Sequence, residues 1–129
     1  MHKTFLSLGA LFGGIAVALG AFGAHSLKNI VSSDVVSVFQ TGVQYQMYHT
    51  LALLVVAIVY ERLPNQWIRW SGYLFSFGIL FFSGSLYLIT ALKAEETSIP
   101  VFIGAVTPVG GLLFILGWLS LLIGIFKRN

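Results

Sequence analysis

Four long apolar runs, none with a charged side chain in its middle, constrain this chain more than any other feature of it. They cover residues 4–24, 43–62, 69–92 and 100–126, and each is about long enough to cross a hydrocarbon core of ~30 Å as a helix. In hydrocarbon every backbone N–H and C=O must be paired within the structure, which leaves helices or closed barrels. Continuous apolar runs of this length, without period-two alternation, select the helix.

The composition agrees. Hydrophobic residues make up 57% of the chain and charged residues 9%, where a soluble domain carries roughly a quarter. The expected fold class is an all-α membrane protein, a four-transmembrane-helix bundle with an interfacial amphipathic start to its second helix. Four spans use up the length, so one integral membrane domain over 1–129 is expected, with no soluble head. Met1-His2-Lys3 followed by an apolar run raises the question of a signal peptide. The run exceeds an h-region and three more spans follow, so it is read as an uncleaved first helix.

The formal charge of +3 is a topology signal and not a nucleic-acid one. With four spans, Lys3, Arg62, Arg69, Lys127 and Arg128 share one side, against Lys28 and Lys93 with Asp34, Glu95 and Glu96 on the other. The positive-inside rule places both termini in the cytoplasm of a multi-pass cell-membrane protein. Trp67 and Trp70 suit an interfacial belt, whereas Trp118 lies too deep for one. The absence of cysteine removes disulfides, thiolate catalysis and Cys-ligated metals.

Along the first span Gly9/Gly13 and Ala16/Gly20/Ala24 recur at intervals of four, the spacing that lets helices approach closely in lipid. From Asp34 to Arg62 one helix would reach roughly 43 Å, too long for a perpendicular crossing, so its first turns project or lie along the interface, with Gly42 a candidate bend. There Ser37, Gln40, Thr41, Gln44 and Tyr48 form a polar stripe opposite Val35, Val36, Phe39, Val43 and Met47. In the last span Pro108 removes an N–H and presses on the Gly104 carbonyl, predicting a helix kink; Gly110, Gly117 and Gly124 predict a groove for a neighbouring helix.

Neutral polar side chains gather in the outer halves. His25, Gln44, Tyr48, His49, Ser83, Ser85, Tyr87 and Thr107 come from four spans and are expected to line one polar pocket. An amide or hydroxyl in hydrocarbon costs several kcal/mol unless paired, which argues that these groups face inward. The same physics allows them simply to fasten helices together, at ~0.6 kcal/mol per contact. His49 is the one deep group able to titrate near neutrality, but no carboxylate is near in sequence to share a relay, so a neutral imidazole bonded to Tyr45, a serine or a carbonyl is expected. His25, His49 and Asp34 make a poor metal set, and Ser83 or Ser85 with His49 lacks an orienting acid. No metal, cofactor or catalytic residue is expected.

Gly20-Ala21-Phe22-Gly23-Ala24-His25, the run from Thr41 to His49, Phe82-Ser83-Gly84-Ser85-Leu86-Tyr87, and Thr107-Pro108-Val109-Gly110-Gly111 with Gly117-Trp118 resemble, in order, the YwdK/YgdD family of small bacterial membrane proteins, which has eukaryotic relatives of similar design. The resemblance covers nearly the whole chain. It implies a four-span inner-membrane protein with no assigned catalytic or binding residues. The first span lacks the membrane glutamate of small multidrug exporters, and the Gly/Arg/Asn pattern of small fluoride channels is missing. The leading expectation is a non-enzymatic protein embedded in the lipid bilayer that binds a membrane-protein partner, a second copy, a lipid or a small polar ligand through the outer-half cluster. The alternative is a small oligomeric channel or transporter lined by Gln44, His49, Ser83 and Thr107.

Overall fold

The computed structural model describes residues 2–127; Met1, Asn129 and the Arg128 of the charge count lie outside them. The described residues are helical almost throughout, and four helical segments are long and apolar enough to cross a membrane. The first is α1, Lys3–His25. Its N-terminus is tied to the second span by the His2 N–H, which donates to the Ala57 carbonyl at 3.0 Å. A short 3-10 turn, Leu27–Asn29, leads to α2, Ser33–Arg62. At 30 residues α2 is about 45 Å long, so three of its turns stand outside a ~30 Å slab. It ends at Arg62 with Leu63 as its C-cap, immediately before Pro64, which cannot continue a helix.

The third span is one continuous rod built of three pieces: α3, Gln66–Gly78, a π turn, Ile79–Ser83, and α4, Gly84–Ala94. Asn65 caps it. The Asn65 Oδ1 accepts the N–H groups of Trp67 and Ile68 at 3.0 and 3.1 Å, and its Nδ2 donates to the Gly124 carbonyl at 2.9 Å. One side chain therefore stops the incoming loop and docks the start of the third span on the end of the fourth. At the far end the rod closes with Thr97 N–H on the Leu92 carbonyl and Glu96 N–H on that of Lys93, a Schellman pattern with Glu96 at φ 54°.

The fourth span, α5, covers Val101–Phe126, with Pro100 at its N-cap position. Pro108, the expected kink site, lies inside α5, which runs as one helix on both sides of it. Gly110, Gly117 and Gly124 do form the expected groove, and its occupant is the third span. A Cβ at Gly117 would lie 2.7 Å from the Phe75 ring, and one at Gly110 would lie 2.7 Å from the Phe82 Cα in the π turn.

α1 packs along α2, α5 packs along α3 and the π turn, and α2 with the third span forms the centre. The apolar core of Phe5, Leu53, Val56, Ala57, Ile68, Phe75, Phe114 and Leu121 fills the half nearer the basic end, where Lys3, Arg62, Arg69 and Lys127 lie. Phe5 enters where Gly72 leaves room for its ring. The half nearer the opposite end holds further side-chain hydrogen bonds between spans.

Candidate functional site

Three hydrogen-bonded groups occupy that second half, and none is a common pocket for the eight residues expected there. The first centres on Gln46. Its Nε2 donates to the Phe12 carbonyl of α1 at 2.7 Å, and its Oε1 accepts the Tyr87 hydroxyl of α4 at 2.6 Å. Beside it Ser83 of the π turn donates to the Gly42 carbonyl of α2 at 2.6 Å, and the Tyr87 ring covers Gly42. The π turn supplies one extra residue of register, which brings Ser83 and Tyr87 together onto α2.

The second group joins α4 to α5. Ser85 gives its one hydroxyl proton to the Phe82 carbonyl at 2.8 Å, so in the 2.6 Å contact between Ser85 and Thr107 it is Thr107 that donates.

The third joins α2 to α5 at His49. Its Nδ1 lies 2.7 Å from the Tyr45 carbonyl and its Nε2 lies 3.1 Å from Trp118 Nε1. A carbonyl can only accept and an indole N–H can only donate, so the imidazole carries its proton on Nδ1 and accepts at Nε2. It is neutral, with both nitrogens occupied. Phe114 stacks on it with centroids 3.5 Å apart and planes 5° from parallel. The expected neutral histidine bonded to a carbonyl is what the fold holds, and Trp118 lies deep because it completes that bond.

His25, Gln44 and Tyr48 correct the expected pocket. All three are exposed, and Gln44 and Tyr48 lie on the outward face of α2 together with Ser37 and Gln40. The expectation that polar groups turn inward applies within hydrocarbon. α2 is longer than the slab, so Ser37 and Gln40 in its first turns are free to face outward, whereas Gln44 and Tyr48 face outward within the slab. The four residues proposed to line a neutral pathway do not share one: Gln44 faces out, Ser83 is closed against Gly42, and Thr107 and His49 are committed to Ser85 and Trp118. Gln46, only 3% exposed, was present in the motif and not singled out. The signal that could have found it is that it falls on the Val35, Phe39, Gly42, His49 and Leu53 face, which is the buried one.

Between α2 and α5 a groove of about 620 Å³ opens outward, floored by His49, Phe114 and Phe82 and edged by Tyr45, Pro108 and Trp118. Its lining is almost wholly apolar. Among the described residues, then, Gln46, His49, Ser83, Ser85 and Ser120 join spans, Ser71, Ser76 and Thr90 bond back to their own helix, and the Thr50 hydroxyl is buried without a partner.

An all-α, four-span integral membrane protein with side-chain hydrogen bonds between its spans is the class that the fold and site define. The chain belongs to the family described as "Protein of unknown function (DUF423)", whose model matches residues 19–111. Its relatives are uncharacterised membrane proteins, as the motif resemblance implied. A UPF0382 membrane protein of Staphylococcus saprophyticus is 49% identical over 97% of this chain and 98% of its own length. One of Haemophilus influenzae is 46% identical over 100% of this chain and 98% of its own, and YwdK of Bacillus subtilis is 41% identical over 97% and 98%. No solved structure gives a significant match.

Proposed function

We propose that this multi-pass protein is a non-enzymatic component of the cell membrane, with both termini cytoplasmic, that recognises another membrane protein through the outward polar face of α2. Gln44 carries the reading. It lies 18 residues from Arg62, about 27 Å along the helix, which puts it just inside the outer boundary of a ~30 Å core whose inner edge is at Arg62. Its carboxamide makes no hydrogen bond within the described residues, and an unpaired amide at that depth is costly. Tyr48 stands one turn deeper on the same face. A partner helix offering a carbonyl or hydroxyl at that level would relieve the cost.

The orientation rests on the basic end carrying Lys3, Arg62, Arg69 and Lys127. The non-enzymatic reading is supported by the commitments of Ser83, Ser85 and His49, none of which pairs with another as nucleophile and base.

The reading is tested with a photo-crosslinking residue at Leu51, on the same face one turn below Tyr48. The expected result is a discrete protein adduct in cells whose yield drops at least several-fold when Gln44→Ala is added. An adduct pattern identical to that from a probe at Leu122 of α5, and indifferent to Gln44→Ala, would remove the proposal.

A further inference from the structure

A second open groove lies at the basic end, between α3 and α5, with a volume of about 650 Å³. Trp67, Trp70 and Leu74 form one wall, and Leu116, Leu119 and Ile123 form the other. Gln66 and Lys127 stand at its mouth. From this arrangement we infer that the groove binds one anionic phospholipid, with an acyl chain along the apolar walls and the phosphate on the Lys127 ammonium and the Gln66 amide.

The dimensions fit one leaflet. From Leu116 to Lys127 the groove follows eleven residues of α5, about 16 Å, and one leaflet contributes about half of the ~30 Å core. The polar mouth is therefore at headgroup level when the deep end reaches the midplane.

The walls are fixed before any lipid arrives. The Ser120 hydroxyl donates to the Trp67 carbonyl at 2.8 Å, and Asn65 Nδ2 to the Gly124 carbonyl at 2.9 Å, so α3 and α5 are bonded at two levels beneath the groove. A preformed groove avoids the ordering cost of closing around a flexible chain. Lys127 is held as well, with its Nζ 5.0 Å from the centroid of the Trp67 ring.

Charge selects the headgroup. No carboxylate pairs with Lys127 among the described residues, and Arg62 and Arg69 add positive charge at the same end. A net-negative headgroup meets net attraction there, since Lys3, Arg62, Arg69 and Lys127 outnumber Glu61, whereas a zwitterionic one brings a cation of its own into the same field. Trp70, half-exposed at the rim, supplies an amphipathic ring of the kind that sits among headgroups.

This site is at the opposite end of the molecule from Gln44 and stands or falls independently of the reading above. The full chain is extracted from nanodiscs of equal phosphatidylglycerol and phosphatidylcholine and examined by native mass spectrometry. Retained phosphatidylglycerol is expected to exceed phosphatidylcholine about fivefold or more, a difference of roughly 1 kcal/mol. Lys127→Gln should bring the ratio near one while lipid is still retained, and Leu119→Trp, which fills the groove, should cut retention of both lipids. Lys28→Gln, at the far end, should change neither. Lys127 is exposed and its substitution does not threaten the fold, so an unaltered ratio in Lys127→Gln overturns the proposal, as does equal retention in the wild type. Displacement of the lipid by millimolar glycerol 3-phosphate would show a site for free phosphate and would equally overturn it.

Discussion

Trp118 donates its indole proton to Nε2 of His49 across 3.1 Å, joining α5 to α2 at a level where neither helix has another polar contact with the other. Because the opposite nitrogen faces the Tyr45 carbonyl, the pair fixes the tautomer of a histidine that Phe114 seals on one side.

Removing the donor while keeping an aromatic ring should therefore cost little more than one bond. Trp118→Phe is expected to destabilise the detergent-solubilised protein by about 1 kcal/mol, and His49→Ala by about 2–4 kcal/mol, since it also empties the space beside Phe114. Unfolding curves for the two variants and their combination measure the coupling. Strict additivity would mean that the bond contributes nothing.

Gln46 links three spans where His49 links two. Gln46→Leu and Tyr87→Phe should each lower stability by about 1 kcal/mol, with a double-mutant coupling of ~0.6 and at most ~1.7 kcal/mol. Gln44→Leu, on the outward face of the same helix, should leave the isolated protein unaffected or slightly stabilised. Equal losses at 44 and 46 would contradict the assignment of inward and outward faces.

The glycines divide in the same way. Gly110→Ala must push against the Phe82 backbone and is expected to cost at least about 2 kcal/mol, the range found for overpacked cores. Gly14 has nothing within 4 Å of where a Cβ would lie, and Gly14→Ala should gain up to about 1 kcal/mol from helix propensity. Thermal melts of the two variants side by side decide the matter.

Glu96 occupies the left-handed position of the Schellman closure at φ 54°, where a side chain is strained and glycine is not. Glu96→Gly should stabilise the end of α4 by about 0.5–1 kcal/mol, and Glu96→Val should destabilise it. Hydrogen exchange at Glu96 and Thr97, whose N–H groups bond to Lys93 and Leu92, reports this directly.

His2 gives the protein a pH-dependent N-terminus. Burial, and then the nearby Arg69 guanidinium, hold its pKa below the usual histidine value, and its ring stacks on Phe5 at 3.9 Å while Nδ1 faces the Phe5 N–H. The unfolded chain then binds the proton more readily than the folded one, so this stabilisation is whole above about pH 6.5 and is lost as the pH falls below it toward the folded pKa. His2→Asn, which keeps a capping acceptor, should flatten that acid limb in melts between about pH 5 and 8. An acid limb identical in the two proteins would assign it to other groups.

Much of this fold was legible in the sequence because one constraint dominates it. Four runs without central charges become four helices, since lipid admits only helices or closed barrels and continuous apolar runs lack a barrel's alternation, and the Gly110, Gly117 and Gly124 period correctly announced a neighbouring helix. The π turn was not legible. Ile79–Ser83 reads as ordinary apolar helix, and the wider turn forms where the backbone of Phe82 meets Gly110 and Ser83 reaches Gly42.

Gln44 and Gln46 mark the boundary between the two kinds of information. The sequence by itself determined that both amides ride on a membrane helix and that such groups seek partners. Two residues rotate a side chain by about 200° around a helix, so only one of the pair could face the bundle. Which one was decided by tertiary packing, because the Phe12 carbonyl and the Tyr87 hydroxyl stand on one side of α2, where Gln46 reaches both, and Gln44 is left on the exposed side.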